Sequence, residues 1–460
     1  MLNVVKFVLL GKNEKQQGSF TTIFSVWNSM VGTGLLTIPW AYSNSGFILG
    51  IIITFLQFVV SFYTCYLVLK VAGDDTDYTD TLKKYFGKQF RIKFFINLQE
   101  RLDHRHDRGS DRKIDTGIDF GEFSYSYTCI IILVVLLLIT SIRNLSIFVK
   151  IATIGVIFVF LIIVFIMGVG IYGFTNTHYV YTAEAHVDDP ESSQILFFNG
   201  AFGPLMGILG GGYYLHNISI PIVRNAKNPE NNVRDVFIGY FLVFISYFIC
   251  GLFGYYGFTG TYFTQTLHEP EILSNCLLMF DSKNIIAIII RFCVFCQLLA
   301  SMSLIFAVQR QQIFLVSFGS NEQRSQKTTW IANTLMLVPT FILAVFYPQV
   351  GKLAGYLGSI GGLGCIYVLP TVTHLKSNYL EIYNPLLSEA IKNNKYQLTQ
   401  NSTTMSPQIS VDDQFLRSKL NKSQNNQSTE QQRKKRFVID CIIGVIIIIL
   451  GLFGVIAQYI

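Results

Sequence analysis

Charged residues are scarce in this chain of 460 residues: Asp, Glu, Lys and Arg together make up 14% of it. A soluble globular domain carries about 25%, so the scarcity argues against an ordinary soluble fold. Hydrophobic residues instead make up 51% of the chain, and the mean hydropathy is +0.43. The apolar residues also gather in runs of about eighteen or more, the length that crosses about 30 Å of hydrocarbon. The sequence therefore predicts an integral membrane protein.

Several signatures of other protein classes are also missing. The apolar runs do not alternate with period two, which argues against a transmembrane β-barrel. The basic residues behind the net charge of +7 lie in loops rather than on one recognition face, so no nucleic-acid partner is expected. No nucleophile–base pair, paired carboxylates or phosphate-binding loop occurs at a plausible membrane-embedded site, so we do not expect an enzyme. The eight cysteines form no Cys/His set with metal-ligand spacing.

Ten apolar spans cover most of the chain. In lipid only helices and closed barrels satisfy the backbone hydrogen bonds, so each span is predicted to be a helix and the fold to be an all-α, multi-span bundle. The predicted spans are 22–44, 47–70, 127–142, 151–173, 194–219, 233–258, 285–308, 329–347, 351–372 and 437–459.

The distribution of charge over the loops predicts the orientation of these spans. Lys6, Lys12 and Lys15 precede the first span, which places the N-terminus in the cytosol by the positive-inside rule. The loop 174–193 carries four acidic residues and no Lys or Arg, so it is expected on the opposite side of the membrane.

This topology divides the chain into four parts. They are a short cytosolic N-terminus at 1–20, a transmembrane core at 21–374, a cytosolic loop at 375–436 and a last transmembrane helix at 437–460. The loop is polar and rich in Asn, Gln and Ser between Asn393 and Gln432. Because such a segment has no apolar face to bury, we expect it to be disordered.

One charged segment, 88–126, conflicts with this topology. It is too charged to span, yet the basic loops on both sides of it are expected in the cytosol with only one span between them. A crossing is therefore missing. The favoured interpretation is a mistranslated or misassembled stretch near 92–126 that replaces a true helix. The alternative is a genuine loss, with 88–99 lying in the membrane interface as an amphipathic piece too short to span.

The first span contains a glycine pair where a helix can break. It reads WNSMVGTGLLTIPW, with Gly32 and Gly34 on either side of Thr33 and Pro39 further on. Glycine adopts conformations closed to other residues, and proline has no N–H to donate. A break leaves N–H groups on one half-helix to attract a carboxylate and C=O groups on the other to coordinate a cation. The alternative is that the glycines only permit close helix packing.

A second glycine-rich segment lies in the fifth predicted span. It reads GILGGGYYLHNISIP, so three glycines at 210–212 precede Tyr214, His216 and Asn217, and Pro221 follows. Two Gly/Pro-interrupted spans in matching halves of a chain indicate a binding site between inverted repeats. On its own, His216 is equally consistent with a satisfied buried histidine and with a ligand or proton carrier.

These segments resemble the amino acid/auxin permease superfamily. The opening WNSMVGTGLLTIPWAYSNSGF is similar to the first span of that family, and HNISIPIVRNAKNPENNVRDVFIGYFLV and AVFYPQVGKLAGYLGSIGGLGCIYVLPTV are similar to its later spans. The resemblance covers about 20–92 and 127–374. It implies eleven helices, of which the first ten form a five-plus-five inverted repeat of the LeuT type. In this chain the first and sixth family helices are then broken and the third is missing.

The resemblance also implies which residues form the site. The substrate cradle carries over onto Ser29, Met30, Gly32, Thr33, Gly34, Tyr214, His216 and Asn217. Sodium, the only cofactor implied, carries over onto Asn28, the Val31 carbonyl and a position at or beside Ala300. A threonine is expected there in the family, which leaves Ser301 or Ser303 to supply the hydroxyl. Coupling to sodium and coupling to protons therefore both stay open.

The function that the resemblance implies is secondary active transport of amino acids by alternating access. Neither motif contains an acidic side chain to pair with a cationic substrate, but backbone groups could still select one, so neutral and cationic amino acids both remain candidates. The alternative is a membrane sensor that binds an amino acid without moving it. A channel is disfavoured because no filter motif is present. The resemblance alone favours a vacuolar or lysosomal membrane over the plasma membrane.

Overall fold

The computed structural model describes residues 17–32, 34–73, 75, 77–87, 125–141, 145–177, 179–182, 193–224, 226–259, 272–281, 283–318, 325–346, 350–392 and 427–458. Four expectations fall outside these ranges in whole or in part. They concern the substrate residue Thr33, the N-terminus up to residue 16, the charged segment at 88–124 and the loop at 393–426. For those residues the expectations remain predictions.

Helices make up almost all of the described structure. In chain order they are α1 (Ser19–Met30), α2 (Gly34–Ser45), α3 (Phe47–Ala72), α4 (78–87), α5 (Tyr125–Thr140), α6 (Leu145–Asn176), α7 (Gly203–Gly212), α8 (His216–Arg224), α9 (Asn232–Thr259), α10 (Ile285–Phe318), α11 (Gln326–Phe346), α12 (Val350–Gly362), α13 (Leu369–Tyr383), α14 (Pro385–Lys392) and α15 (Gln427–Ala457). A π-helical segment, Leu363–Val368, joins α12 to α13.

Six helical segments of the described chain are long and apolar enough to cross a membrane. They are Phe47–Ala72, Gly155–Asn176, Pro229–Thr259, Ile285–Phe314, Leu353–Tyr383 and Gln431–Ala457, and Cys129–Thr140 is a shorter apolar helix. The first and fifth predicted spans are instead built from pairs of short helices, α1 with α2 and α7 with α8. The predicted class, an all-α multi-span bundle, is confirmed, and the five-plus-five arrangement stays a prediction.

A small parallel sheet is the main departure from the all-helical expectation. Its strands are β1 (Tyr179–Thr182) and β2 (Ser193–Leu196). The predicted span 194–219 therefore begins too early, because its helical part starts only at Gly203. The strand is held by tertiary contacts: the N–H of Leu196 donates to the Tyr255 hydroxyl oxygen at 3.1 Å.

The loop expected to be disordered, 375–436, is helical at both ends. Helix α13 continues to Tyr383, α14 follows it, and α15 begins at Gln427. The first part folds because it is not uniformly polar: Leu380 and Ile391 pack in a buried cluster with Tyr85 of α4.

The main core lies where α1, α2, α6, α9 and α10 pack together. Its largest fully buried side chains include four tyrosines, Tyr42, Tyr213, Tyr240 and Tyr247. Polar side chains enclosed in a membrane protein usually pair with one another or serve its function. The polar groups around the two glycine-rich segments are therefore candidates for a functional role.

Candidate functional site

The first span is broken at the glycine pair, as the sequence predicts. Helix α1 ends at Met30, Val31 is extended, and α2 begins at Gly34. The N–H of Val31 bonds to the Trp27 carbonyl at 3.0 Å, which closes the last turn of α1. A Cβ added to Gly32 would meet no heavy atom of the described residues within 4 Å. The break therefore borders open space rather than a packed neighbour.

The second predicted break is also present. Helix α7 ends at Gly212, the residues 213–215 are not helical, and α8 begins at His216. The N–H of Tyr213 donates to the Leu209 carbonyl at 2.8 Å, so the last turn of α7 closes in the same way as that of α1.

Side chains from two other helices hold the carbonyl groups of the first break. Tyr247 of α9 donates its hydroxyl to the Met30 carbonyl at 2.9 Å. Gln297 of α10 donates its amide to the Val31 carbonyl. Both donors are buried. Sequence reasoning missed them because they lie in long apolar runs outside both motifs, where the one available signal was a polar side chain inside a span.

The two breaks meet at Tyr247. A Cβ added to Gly34 would lie 3.4 Å from the Tyr247 hydroxyl oxygen, and a Cβ added to Gly212 would overlap the same atom. The hydroxyl therefore touches the start of α2 and the end of α7 at once. Of the predicted substrate residues, Met30 and Gly34 converge directly on this one side chain.

Other glycines of the second segment serve close packing, the alternative that the sequence leaves open. A Cβ on Gly207 would overlap the Gly355 carbonyl oxygen, and a Cβ on Gly358 would overlap the Gly207 carbonyl oxygen. A Cβ on Gly210 would lie 2.9 Å from the Gly358 carbonyl oxygen. The backbones of α7 and α12 approach so closely because no side chains separate them. Both interpretations of the glycines thus apply, at different positions.

Asn28 is the most unusual polar residue near the first break. Its side chain is fully buried, and neither of its polar atoms has a hydrogen-bond partner among the described residues. It lies against Gly155 of α6, because a Cβ added to Gly155 would stand 2.8 Å from Asn28 Oδ1; the Ala300 Cβ of α10 would lie 3.1 Å from the same position. Leaving a buried amide unpaired is costly. Asn28 is therefore a candidate to bind a ligand through its side chain.

The other implied cation ligands are already hydrogen-bonded. Ser301 and Ser303 donate their hydroxyls to carbonyls of the preceding turn of α10, and the Val31 carbonyl accepts from Gln297. Each of these oxygens retains a further lone pair. The Asn28 side-chain oxygen differs from them, because it has no hydrogen-bond partner among the described residues.

His216 is fixed by α3. Its ring is fully buried, its Nε2 shares a hydrogen bond with Thr64 Oγ1 at 2.9 Å, and its Nδ1 has no partner among the residues described. The Tyr214 ring stacks against it, with the centroids 6.0 Å apart. The pair is therefore packed on the α3 side of the second break.

Ser29 and Asn217 lie next to the breaks, and each forms a hydrogen bond within the protein. The Ser29 hydroxyl donates to the Ser25 carbonyl at 2.6 Å. The backbone carbonyl of Asn217 accepts from Gln312 Nε2 of α10 at 3.0 Å, and the Asn217 side chain is half-buried. Their roles in substrate binding remain predictions.

This chain is similar to several known proteins. The profile of a family described as transmembrane amino acid transporter protein matches residues 15–101 and 108–385. Neutral amino acid transporter 9 of Danio rerio is 27% identical and aligns with 80% of this chain and 76% of its own. The sodium-coupled neutral amino acid transporter 9 homolog of Caenorhabditis elegans is 25% identical, with 82% of this chain and 71% of its own aligned. A solved structure of Mhp1 in an inward-facing conformation is 13% identical, has a TM-score of 0.42 and covers 80% of this chain and 78% of that one.

The family profile spans well over half of the chain, and the relatives that align with most of it are named as transporters rather than enzymes. The matched residues include both helix breaks and the donors from α9 and α10 that hold the first of them. This chain belongs to the transmembrane amino acid transporter family.

Proposed function

We propose that this chain is a secondary active transporter that moves neutral or cationic amino acids by alternating access, with the substrate bound between the two breaks. The observation that carries the proposal is the meeting of both breaks at the Tyr247 hydroxyl, next to the open space at Gly32. Helix ends of opposite polarity gathered at one place in a membrane core suit a small zwitterion.

The polarity of the first break matches the backbone part of an amino acid. The N–H groups in the first turn of α2, which begins at Gly34, have no partner inside the helix and attract a carboxylate. The carbonyl groups at the end of α1 attract a cation, either the α-ammonium group or a coupled ion. The segments 27–40 and 207–221 contain no Asp, Glu, Lys or Arg, so backbone dipoles supply the recognition.

The observations support transport of amino acids, but they leave more than one class of amino acid as the substrate. The names of the relatives refer to neutral amino acids, and an uncharged site favours a neutral side chain because a charged one would lose its hydration. Backbone carbonyls can still receive a cationic side chain. We therefore propose neutral or cationic amino acids as substrates.

Asn28, the Val31 carbonyl and Ser301 are the residues that would hold a coupled cation. The unpartnered oxygen of Asn28 supports this set, and the relative from Caenorhabditis elegans is named as sodium-coupled. Ala300 supplies no hydroxyl, and Gln297 occupies one lone pair of the Val31 carbonyl. The proposal is therefore coupling to sodium or to protons. The membrane that we propose, on the resemblance alone, is that of a vacuole or lysosome.

Uptake by purified protein in proteoliposomes tests the proposal. The transcript is first sequenced across 92–126, and the chain that it encodes is used, because a bundle short of one helix is expected to transport poorly. Each of the twenty amino acids is offered with and without sodium and with and without a pH gradient. We expect uptake of neutral or cationic amino acids that depends on one of the two ions. Saturable binding with no uptake of any amino acid would instead identify a sensor.

A further inference from the structure

Tyr247 lies in the middle of α9, outside both glycine-rich motifs. Its side chain is 1% exposed. It is the one described side chain whose hydroxyl donates to the end of α1 and also touches α2 and α7, through the Met30 carbonyl, Gly34 and Gly212. A single hydroxyl group therefore lies against both halves of the first break and against the first half of the second.

The Tyr247 ring packs against Tyr213, which in turn contacts Tyr240. The Tyr213 ring meets it edge to face, with centroids 5.4 Å apart. On its other side Tyr213 is parallel to Tyr240, with centroids 6.2 Å apart, and the Tyr240 hydroxyl donates to the Tyr213 carbonyl at 3.3 Å. Tyr213 is the first residue of the second break, so the hydroxyl of Tyr247 is fixed relative to that break as well.

We propose that Tyr247 is a positioning residue that couples the two breaks, holding them in the arrangement that binds substrate. It acts through the Met30 carbonyl and Gly212 and needs no contact with the substrate itself. Where it concerns transport kinetics, this inference rests on the function proposed above. Where it concerns the geometry of the breaks, the inference does not depend on that function.

The physical reason is preorganisation. If the hydroxyl is removed, the Met30 carbonyl loses its partner and the first break samples other arrangements. Apparent affinity then falls in proportion to the fraction of molecules that remain competent to bind. A role confined to folding would act differently, because it would lower the number of carriers and leave the affinity of each one unchanged.

The first experiment compares Tyr247→Phe with Tyr255→Phe. Tyr255 lies on the same helix, is buried, and uses its hydroxyl to accept from the N–H of Leu196, far from both breaks. We expect Tyr247→Phe to raise the substrate concentration for half-maximal uptake about 2- to 10-fold, the range for one lost hydrogen bond. The maximal rate per folded carrier should change less. Tyr255→Phe should leave half-saturation unchanged, and an equal shift in both variants would overturn the proposal.

The second experiment exploits the overlap between Gly212 and the hydroxyl. A Cβ at Gly212 would overlap the Tyr247 oxygen, whereas the next nearest atom of that ring lies 3.0 Å away. Gly212→Ala should therefore lower the thermal stability of the purified carrier. Combining Gly212→Ala with Tyr247→Phe should recover part of that loss, since the effects of substitutions on stability are not additive when the two residues are in contact. Fully additive losses would contradict the placement of the hydroxyl.

The third experiment needs no transport. Gly32 borders open space, so a cysteine fits there, and its modification by a small maleimide is followed by mass spectrometry of the peptide without substrate. Adding Tyr247→Phe to Gly32→Cys should change the modification rate at least about twofold, in line with one lost hydrogen bond, and adding Tyr255→Phe should not. Equal rates in all three proteins overturn the coupling whatever the transport result. A changed rate, together with no uptake of any amino acid by the chain without substitutions, would leave the coupling standing and refute the proposed function.

Discussion

The two breaks are alike in sequence and differ in what surrounds them. At the first, Gly32 borders open space and the carbonyls of Met30 and Val31 accept from side chains of α9 and α10. At the second, the glycines of α7 face the backbone of α12, where Gly207 and Gly358 leave no room for a Cβ. The first break is held by side-chain hydrogen bonds from α9 and α10, whereas the helix that leads into the second break packs backbone against backbone on α12.

This difference indicates how the two regions contribute to a transport cycle. A side-chain hydrogen bond can open and re-form while its helices stay in place. Two helices packed glycine against glycine are held at a fixed, short separation. We therefore interpret α7 and α12 as one unit and the first break as the part that rearranges. Glycine-rich sequence alone does not distinguish these two uses.

The largest expected effect comes from a substitution that disrupts the contact between α7 and α12. In Gly358→Ala the new Cβ overlaps the Gly207 carbonyl oxygen, and because the obstacle is backbone it cannot move aside. We expect a loss of thermal stability equivalent to about 1–3 kcal/mol or more. The matched control is Gly361→Ala on the same helix, where a Cβ meets nothing within 4 Å. Equal melting curves for the two variants in detergent would show that α7 and α12 are not in backbone contact.

The next effect falls on transport rather than stability. We expect Gly34→Val to abolish uptake while the protein remains inserted, because its methyl groups would press on the Tyr247 hydroxyl and fill the presumed cradle. Gly34→Ala is the graded control, since its Cβ would lie at an ordinary 3.4 Å from that oxygen. Normal uptake by correctly localised Gly34→Val would remove Gly34 from the cradle.

Asn28→Ala should have a smaller and more selective effect. An amide oxygen with no partner among the described residues can act as a cation ligand at this depth, so we expect its loss to weaken the dependence of uptake on sodium or pH more than it weakens substrate affinity. The rival is a hydrogen bond between helices, worth about 0.6 kcal/mol on average. An unchanged dependence on both ions, together with a lower melting temperature, would favour that rival.

The smallest expected effect concerns the second break. Asn217→Leu should raise the substrate concentration for half-maximal transport by an amount equivalent to about 0.5–1.5 kcal/mol, the cost of one lost polar contact. Gel filtration of the variant checks that it is folded, and the bond from Gln312 to the Asn217 backbone should persist because it does not use the side chain. Unaltered half-saturation in a folded carrier would assign Asn217 to packing.

The sequence was informative wherever a local pattern decides the structure. Apolar runs located the long helices, and glycine with proline located both breaks, between α1 and α2 and between α7 and α8, because backbone freedom is a local property. The helical ends of the loop 375–436 were missed because its few apolar residues, such as Leu380 and Ile391, are diluted by polar neighbours. The strand Ser193–Leu196 was missed because four residues carry too weak a periodic signal.

Only half of the candidate site could be predicted from the sequence, for a different reason. Tyr247 and Gln297 act on the first break from more than 200 positions along the chain, and no spacing rule relates such partners. The packing of α7 on α12 is visible in the sequence, because Gly207 and Gly210 of α7 and Gly355 and Gly358 of α12 are each spaced three residues apart. That spacing indicates a glycine-lined helix face, but not which helix lies against it.

The central claim is alternating access to one site between the two breaks, and counterflow tests it most directly. Proteoliposomes loaded with an unlabelled substrate amino acid are diluted into a trace of the labelled form, and internal label is followed over time. An alternating-access carrier should accumulate label transiently above the external concentration, only in preloaded vesicles, and Gly34→Val should abolish the overshoot. Entry of label to simple equilibrium without an overshoot, or binding with no entry at all, would contradict the account.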